Sequence, residues 1–250
     1  MAERMRLDKL LAFWGLGTRS AVRELIRAGR AQVDEAVVRD PAHVLNPALQ
    51  TVRVDGIPYA YSRHRHGMLH KPSGLVTAAR DAALPTVMSL LPQPLRACGC
   101  MPVGRLDRDT EGLLLFTSDG ELAHRLLSPR CAIDKVYLAQ VDGPLDAQDA
   151  QAFADGLTLS DFTAQPASLA ILQSGTDAAR ALCTVREGKY HQVKRMFAAR
   201  GRTVTYLKRL SLGPVQLDEA LPAGAFRELT AAEVAALYAA VRLTPPDACE

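Results

Sequence analysis

One stretch of this chain is built like a mount for a nucleophile. Gly104-Arg105-Leu106-Asp107-Arg108-Asp109-Thr110-Glu111-Gly112-Leu113-Leu114-Leu115-Phe116-Thr117-Ser118-Asp119-Gly120 sets carboxylates beside arginines on a turn, immediately before an apolar, strand-like run. An isolated aspartate is most often a turn or capping residue, and Asp109 and Asp119 read that way. A carboxylate that must stay ionised while a substrate excludes water needs a cation close by. Cations are concentrated downstream. From Arg186 to Arg209 there are eight basic residues (Arg186, Lys189, Lys194, Arg195, Arg200, Arg202, Lys208, Arg209) against one acidic residue, Glu187. Such a run is the footprint expected of a surface that faces phosphates. A sugar hydrolase would need two carboxylates across the scissile bond, and Asp107 and Asp109 lie too close in sequence to span it.

The elements that position these groups need a core. The chain has 250 residues and 48% hydrophobic content, enough for one large domain or two. Net charge is only +3, so the placement of charge is more informative than its sum. Nothing at the start reads as a signal peptide, and no segment approaches the roughly 18 apolar residues of a membrane span. A cytoplasmic protein is expected, without a membrane partner. The cysteines Cys98, Cys100, Cys131, Cys183 and Cys249 are odd in number and irregularly spaced, which argues for reduced thiols. Cys98-Gly99-Cys100 lacks the paired spacing of a zinc knuckle, so no metal is expected.

The first sixty residues read as a small module. Leu7, Leu10, Leu11 and Trp14 fall at helical spacing. After Gly15-Leu16-Gly17, Thr18 or Ser20 can cap a second helix that buries Val22, Leu25 and Ile26 and stops at Gly29. Arg19, Arg23, Arg27 and Arg30 share one face of it. Like charges at that spacing repel, which suggests an anion opposite or an ordinary solvated face. Ala31 to Asp34 and Thr51 to Asp55 read as short strands, and Asp55-Gly56 closes the module. The divisions expected are 1–61 for this module, 62–67 for a linker, 68–242 for the larger domain and 243–250 for a short tail. Within the larger domain Leu113 to Phe116, Val136 to Val141 and Ala181 to Val185 read as strands. Leu122 to Leu127 and Tyr190 to Arg200 read as helices, the latter with Val193, Met196 and Phe197 as its buried stripe and Gly201 as its stop. The fold class is α+β, and a monomer is expected because no long exposed apolar face is evident.

The segment from Gly104 to Gly120 resembles the catalytic signature of the RsuA-type branch of the pseudouridine synthases, enzymes that isomerise uridine within RNA. Two further segments support the resemblance: Gly188-Lys189-Tyr190-His191-Gln192-Val193-Lys194-Arg195-Met196-Phe197, and Asp134-Lys135-Val136-Tyr137-Leu138. The front module, from Met5-Arg6-Leu7-Asp8-Lys9-Leu10-Leu11 to Gly29-Arg30-Ala31-Gln32-Val33-Asp34, resembles the S4 RNA-binding domain.

The resemblance implies a catalytic domain with a mostly antiparallel mixed sheet flanked by helices. It makes Asp107 the nucleophile, Lys194 its ion-pair partner, and Tyr137 the ring that stacks on a flipped uracil and can serve in proton transfer. Substrate binding falls to Arg105, Lys71, His191, Gln192 and Arg195, with His191 and Gln192 also shaping a helix terminus. Arg195 is read as a phosphate contact or a structural pair. RNA binding by the front module falls to Arg6, Lys9, Arg19, Arg23, Arg27 and Arg30. No cofactor is implied, and the partner is rRNA. The short tail favours a small-subunit target, uridine 516 of 16S rRNA, over a 23S rRNA target. His70, Val136 and Cys98-Gly99-Cys100 depart from the usual pattern and bear on target identity rather than chemistry. A binding or assembly factor without turnover is the alternative from another class, against which intact Asp107 and Lys194 argue.

Overall fold

A computed structural model describes residues 4–59 and 61–246. They form two compact units. Cys249 and the end of the expected tail lie outside the described residues.

The first unit runs up to Arg65 and takes in Leu91–Cys100 as well. It contains β1 (Met5–Arg6), α1 (Leu7–Phe13), α2 (Arg19–Arg27), β2 (Ala31–Val33), β3 (Ala36–Val38), β4 (Val44–Leu45), β5 (Val52–Val54), β6 (Ile57–Tyr59) and α3 (Gln93–Ala97). Strands β3-β2-β5-β6 make an antiparallel sheet, and β1 pairs with β4. Leu7, Leu10, Leu11 and Trp14 pack with Val22, Ile26, Val33, Leu45, Val52 and Val54 as one core. Thr18 is the residue that caps α2, its hydroxyl accepting from the Ala21 amide at 3.3 Å.

One sequence expectation is corrected here. Asp55-Gly56 does not close the module. Both residues have positive φ, the conformation of a tight hairpin turn, and the chain folds straight back into β6. The segment 91–100 groups with the first unit, where the Cys98 thiol donates to the Phe13 carbonyl at 2.7 Å and the Cys100 thiol to the Arg65 carbonyl at 3.4 Å.

The second unit comprises His66–Leu90 and Met101–Thr244. Its strands are β7 (His66–Lys71), β8 (Met101–Pro102), β9 (Glu111–Thr117), β10 (Lys135–Asp142), β11 (Ser168–Ser174), β12 (Ala178–Val185), β13 (Val204–Leu212), β14 (Val215–Gln216) and β15 (Phe226–Glu228). Its helices are α4 (Gly120–Leu127), α5 (Ala147–Asp155), α6 (Gln192–Ala199) and α7 (Ala231–Ala240). The sheet order is β11-β12-β10-β13-β9-β7-β15, with β14 on β13 and β8 on β9. All pairings are antiparallel except β9 with β13. The α+β class and the mixed, mostly antiparallel sheet expected from the sequence are present.

The apolar run Leu113 to Phe116 is buried at the centre of this sheet. Leu113 and Leu115 pack with Met68, Leu122, Leu126, Leu212 and Leu237, so α4 and α7 cover one face. Asp119 has the capping role read for it, accepting from the amides of Glu121 and Leu122 at the start of α4. At the parallel joint, Arg209 of β13 sits in register with Gly112 of β9. Gly112 has φ +99° and a methyl there would run into the Arg209 carbonyl, so only glycine lets the two strands approach. Among the described residues no helix is long and apolar enough to cross a membrane.

Candidate active site

The loop between β8 and β9 carries Arg105, Asp107 and Asp109, and it is tied down from beneath at several points. The Thr77 hydroxyl donates to the Leu106 carbonyl at 2.9 Å and accepts from the Leu106 amide at 3.2 Å. The Thr110 amide donates to the Asp107 carbonyl, closing a turn. Lys71, at the end of β7, is fully buried, and its ammonium donates to the carbonyls of Pro72, Arg108 and Thr110 at 3.0, 3.1 and 2.8 Å. These three bonds use every donor that a lysine has. Lys71 was expected to contact substrate; instead it clamps the loop that bears Asp107. Burial pushes its pKa down to about 8, against the pull of Asp109, Asp107 and Glu111.

Held this way, the Asp107 carboxylate is about a quarter exposed. Lys194 Nζ lies 3.4 Å from Asp107 Oδ2 and His191 Nε2 lies 3.5 Å from Asp107 Oδ1. Lys194 is therefore beside Asp107, yet its shorter contact is to Asp109 Oδ1 at 2.6 Å. That hydrogen bond holds the Asp109 carboxyl below its ordinary value. Asp109 thus does more than form a turn.

Lys194 reaches the site from the first turn of α6. Val193, Met196 and Phe197 are buried as expected, and Gly201 follows the helix end with φ +72°. The start of α6 is fixed by Gln192, which is buried. Its amide donates to Glu187 Oε1 at 2.7 Å and its oxygen accepts from the Lys189 amide at 3.1 Å. Glu187 Oε1 also accepts from the Gln165 amide. Gln192 thus shapes the helix terminus, and it also lines a small cavity with Asp107 and Lys194. His191 adopts a left-handed backbone at the N-cap and stacks on Tyr190, ring centres 3.8 Å apart. Arg195 is the structural pair of its two readings: it binds Asp161, donates to the Ser160 hydroxyl at 3.0 Å and lies over the Phe162 ring.

Tyr137 comes from β10, buried, in register with Arg209 of β13 and Cys183 of β12. With Arg105, Asp107, His191, Lys135 and Arg209 it lines a cavity of about 750 Å³, which shares lining residues with a smaller one that reaches Lys194. Arg105 is exposed on its rim and makes no hydrogen bond or ion pair among the described residues. The volume accommodates a nucleotide rather than only a water.

The basic run from Arg186 to Arg209 does not form one phosphate-facing surface. Arg186 pairs with Asp134, Arg200 with Asp149, Arg195 with Asp161 and Lys194 with Asp109. Arg202 donates to the Pro144 carbonyl, and Arg209 is buried. The partners come from distant segments, which a local charge count misses. Among the described residues no three His, Cys, Asp or Glu side chains gather as a metal site would require.

In the front module Arg6 and Arg23 both bind buried Asp8, and Arg30 binds Asp55 at 2.5 Å. Exposed Lys9, Arg19 and Arg27 carry no such side-chain pair among the described residues. Half of the expected RNA-binding set is thus also holding the module together.

Comparison with known proteins identifies the family. The family described as RNA pseudouridylate synthase matches residues 66–199, and the S4 domain matches residues 5–49. The chain belongs to the RNA pseudouridylate synthases. It is 41% identical over 238 residues to the ribosomal small subunit pseudouridine synthase A of Yersinia pestis, covering 94% of this chain and 99% of the relative. It is 40% identical over 231 residues to an uncharacterized RNA pseudouridine synthase, YtzG, of Bacillus subtilis (strain 168), covering 92% and 97%. A crystal structure of a pseudouridylate synthase superposes with a TM-score of 0.65 at 34% identity, covering 93% of this chain and 99% of that one. The synthase is an isomerase that acts on RNA.

Proposed function

We propose that this synthase converts one uridine of small-subunit rRNA, uridine 516 of the 16S molecule, to pseudouridine, with Asp107 as nucleophile. The observation that carries the reading is the Asp107 carboxylate at the wall of the 750 Å³ cavity, 3.4 Å from Lys194 and facing the same space as Tyr137. Near-complete coverage of relatives named as small-subunit enzymes supports the target.

Isomerisation must break the N1–C1′ bond, turn the uracil and join C5 to C1′. The target base has to leave its stack, and Tyr137 offers it an aromatic face. In one version the Asp107 carboxylate attacks C1′ and the uracil leaves with the bonding pair. In the other the carboxylate adds to C6 of the ring. C5 then joins C1′, the carboxylate is released and the C5 proton passes to N1, so atoms balance without a cofactor. Lys194 sets a positive charge beside Asp107 as RNA excludes water, and Arg105 holds the flipped nucleotide at the rim. The module of residues 1–61 grips RNA nearby, joined through 62–67 to the catalytic portion 68–242, with 243–250 as a tail.

Mapping of pseudouridine in 16S and 23S rRNA from cells lacking the protein tests this. One 16S site should vanish and return with wild type but not with Asp107→Asn. A lost 23S site would reassign the target, and no lost site would remove the rRNA reading.

A further inference from the structure

Two cations lie at the floor of the cavity, and the reaction scheme leaves them without work. Lys135 and Arg209 line it beside Tyr137 and are 5% and 2% exposed. Lys135 and Tyr137 are two residues apart on β10 and so share a face, and Arg209 is the β13 residue in register with Tyr137. Their neighbouring carboxylates are engaged elsewhere. Asp134 binds Arg186, Glu187 accepts from Gln165 and Gln192, and Glu111 accepts from the Tyr206 hydroxyl.

A purely structural role accounts for few of their donors. Lys135 Nζ donates to the carbonyls of Ile133 and Arg186, and Arg209 Nε donates to Leu113. Three of eight N–H groups are thereby used. Arg209 Nη2 is buried with no hydrogen-bond partner among the described residues. Two like charges buried side by side disfavour each other, and burial followed by Arg209 lowers the Lys135 pKa. A fold that needed only these carbonyl contacts could meet them with neutral donors.

We infer that Lys135 and Arg209 are catalytic residues that face the edge of the flipped uracil and stabilise the negative charge the ring acquires during reaction. This rests on the isomerase reading above and deepens it. Whether the N1–C1′ pair departs with the ring or the carboxylate adds to C6, the excess electron pair spreads onto the ring carbonyl oxygens. Those oxygens supply the acceptors that the buried donors lack, and fixed cations in a water-excluded site act where charge develops. Neither residue takes or gives a proton. The charge is cancelled when C5 joins C1′ and the carboxylate is expelled.

The test compares single-turnover rates of full-length wild type, Lys135→Met and Arg209→Met on rRNA transcripts carrying uridine or 5-fluorouridine at the target. Fluorine withdraws electrons and makes the charged ring less dependent on outside help. On uridine the variants should lose roughly 100- to 1000-fold in rate with unchanged RNA affinity. On 5-fluorouridine, followed by loss of the N-glycosidic bond, the deficit should shrink at least tenfold, and Lys135→Arg should recover part of the uridine rate. An equal deficit on both substrates would mark a structural role and overturn the inference, as would full activity of either Met variant. Should Arg209→Met fail to fold, Lys135→Met and Lys135→Arg decide alone. A wild type inactive on both 16S and 23S transcripts would instead overturn the proposed rRNA target on which the inference rests.

Discussion

Lys194 Nζ bridges two carboxylates of one loop, 2.6 Å from Asp109 and 3.4 Å from Asp107. The closer partner is the more exposed one, at 70% against 26%. Asp109 thereby anchors the ammonium at the solvent side and leaves the Asp107 carboxylate flanked by a cation without a tight hydrogen bond to it. A nucleophile gains from that arrangement, because a short bond would have to break before attack.

Three substitutions separate these roles. Asp107→Asn should abolish isomerisation while leaving RNA affinity and melting temperature near wild type, since an amide cannot attack. Lys194→Met should slow single turnover by roughly 100-fold or more, through loss of the charge beside Asp107. Asp109→Asn should cost less than about tenfold, because the lysine remains in place. Rates of Asp109→Asn falling as low as those of Asp107→Asn would show that the nucleophile had been misassigned.

Lys71 gives the activity a basic limit. Its ammonium holds three loop carbonyls, and with a pKa pushed down to about 8 it becomes an amine with one donor fewer as pH rises through that value. The single-turnover rate should decline above pH 8. Stability should not decline for the same reason. The unfolded lysine titrates near its ordinary 10.5, so between 8 and 10.5 the unfolded chain binds more protons and this group's contribution to stability rises with pH. Rate and melting temperature measured together from pH 7 to 9.5 check this, and a flat rate profile would rule out the clamp's charge as a requirement.

Gly112→Ala probes the joint that fixes the site. The residue has φ +99° and faces the Arg209 backbone, so an alanine meets both an unfavourable conformation and a collision. The expected loss is about 3 kcal/mol, combining backbone strain with overpacking. Thermal unfolding should shift down by roughly 10 °C for a unit of this size. A variant that melts within 2 °C of wild type would mean the strands can part cheaply.

What could be read in the sequence was whatever the chemistry requires of contiguous residues. Asp107 on its turn, the apolar strand behind it and the stripe of α6 all follow from local type and spacing, with Tyr137 and Lys194 added by resemblance. Pairings across long separations were not legible. Asp109 meets Lys194 across 85 residues, and Gln165 meets Glu187 across 22. Buried cations were the other blind spot. Lys71, Lys135 and Arg209 are 0%, 5% and 2% exposed, yet by composition each looks like a surface charge, because only backbone carbonyls from several segments make such burial tolerable.

The arginine face of α2 offers a last prediction, since its members differ in what they already hold. Arg23 binds Asp8, whereas Arg19 and Arg27 are exposed without such partners, and Arg30, expected on this face, lies beyond the helix end and binds Asp55. If this face meets RNA phosphate, Arg19→Ala combined with Arg27→Ala should weaken binding and lower the slope of log affinity against log salt by roughly 1.5 to 2, with melting unchanged. Arg23→Ala should instead leave Asp8 buried with Arg6 alone and lower the melting temperature of the module. Salt titrations of affinity for the target transcript, run beside thermal melts, separate the two effects. An unchanged slope in the double variant would mean that the face is merely solvated and that RNA is gripped elsewhere.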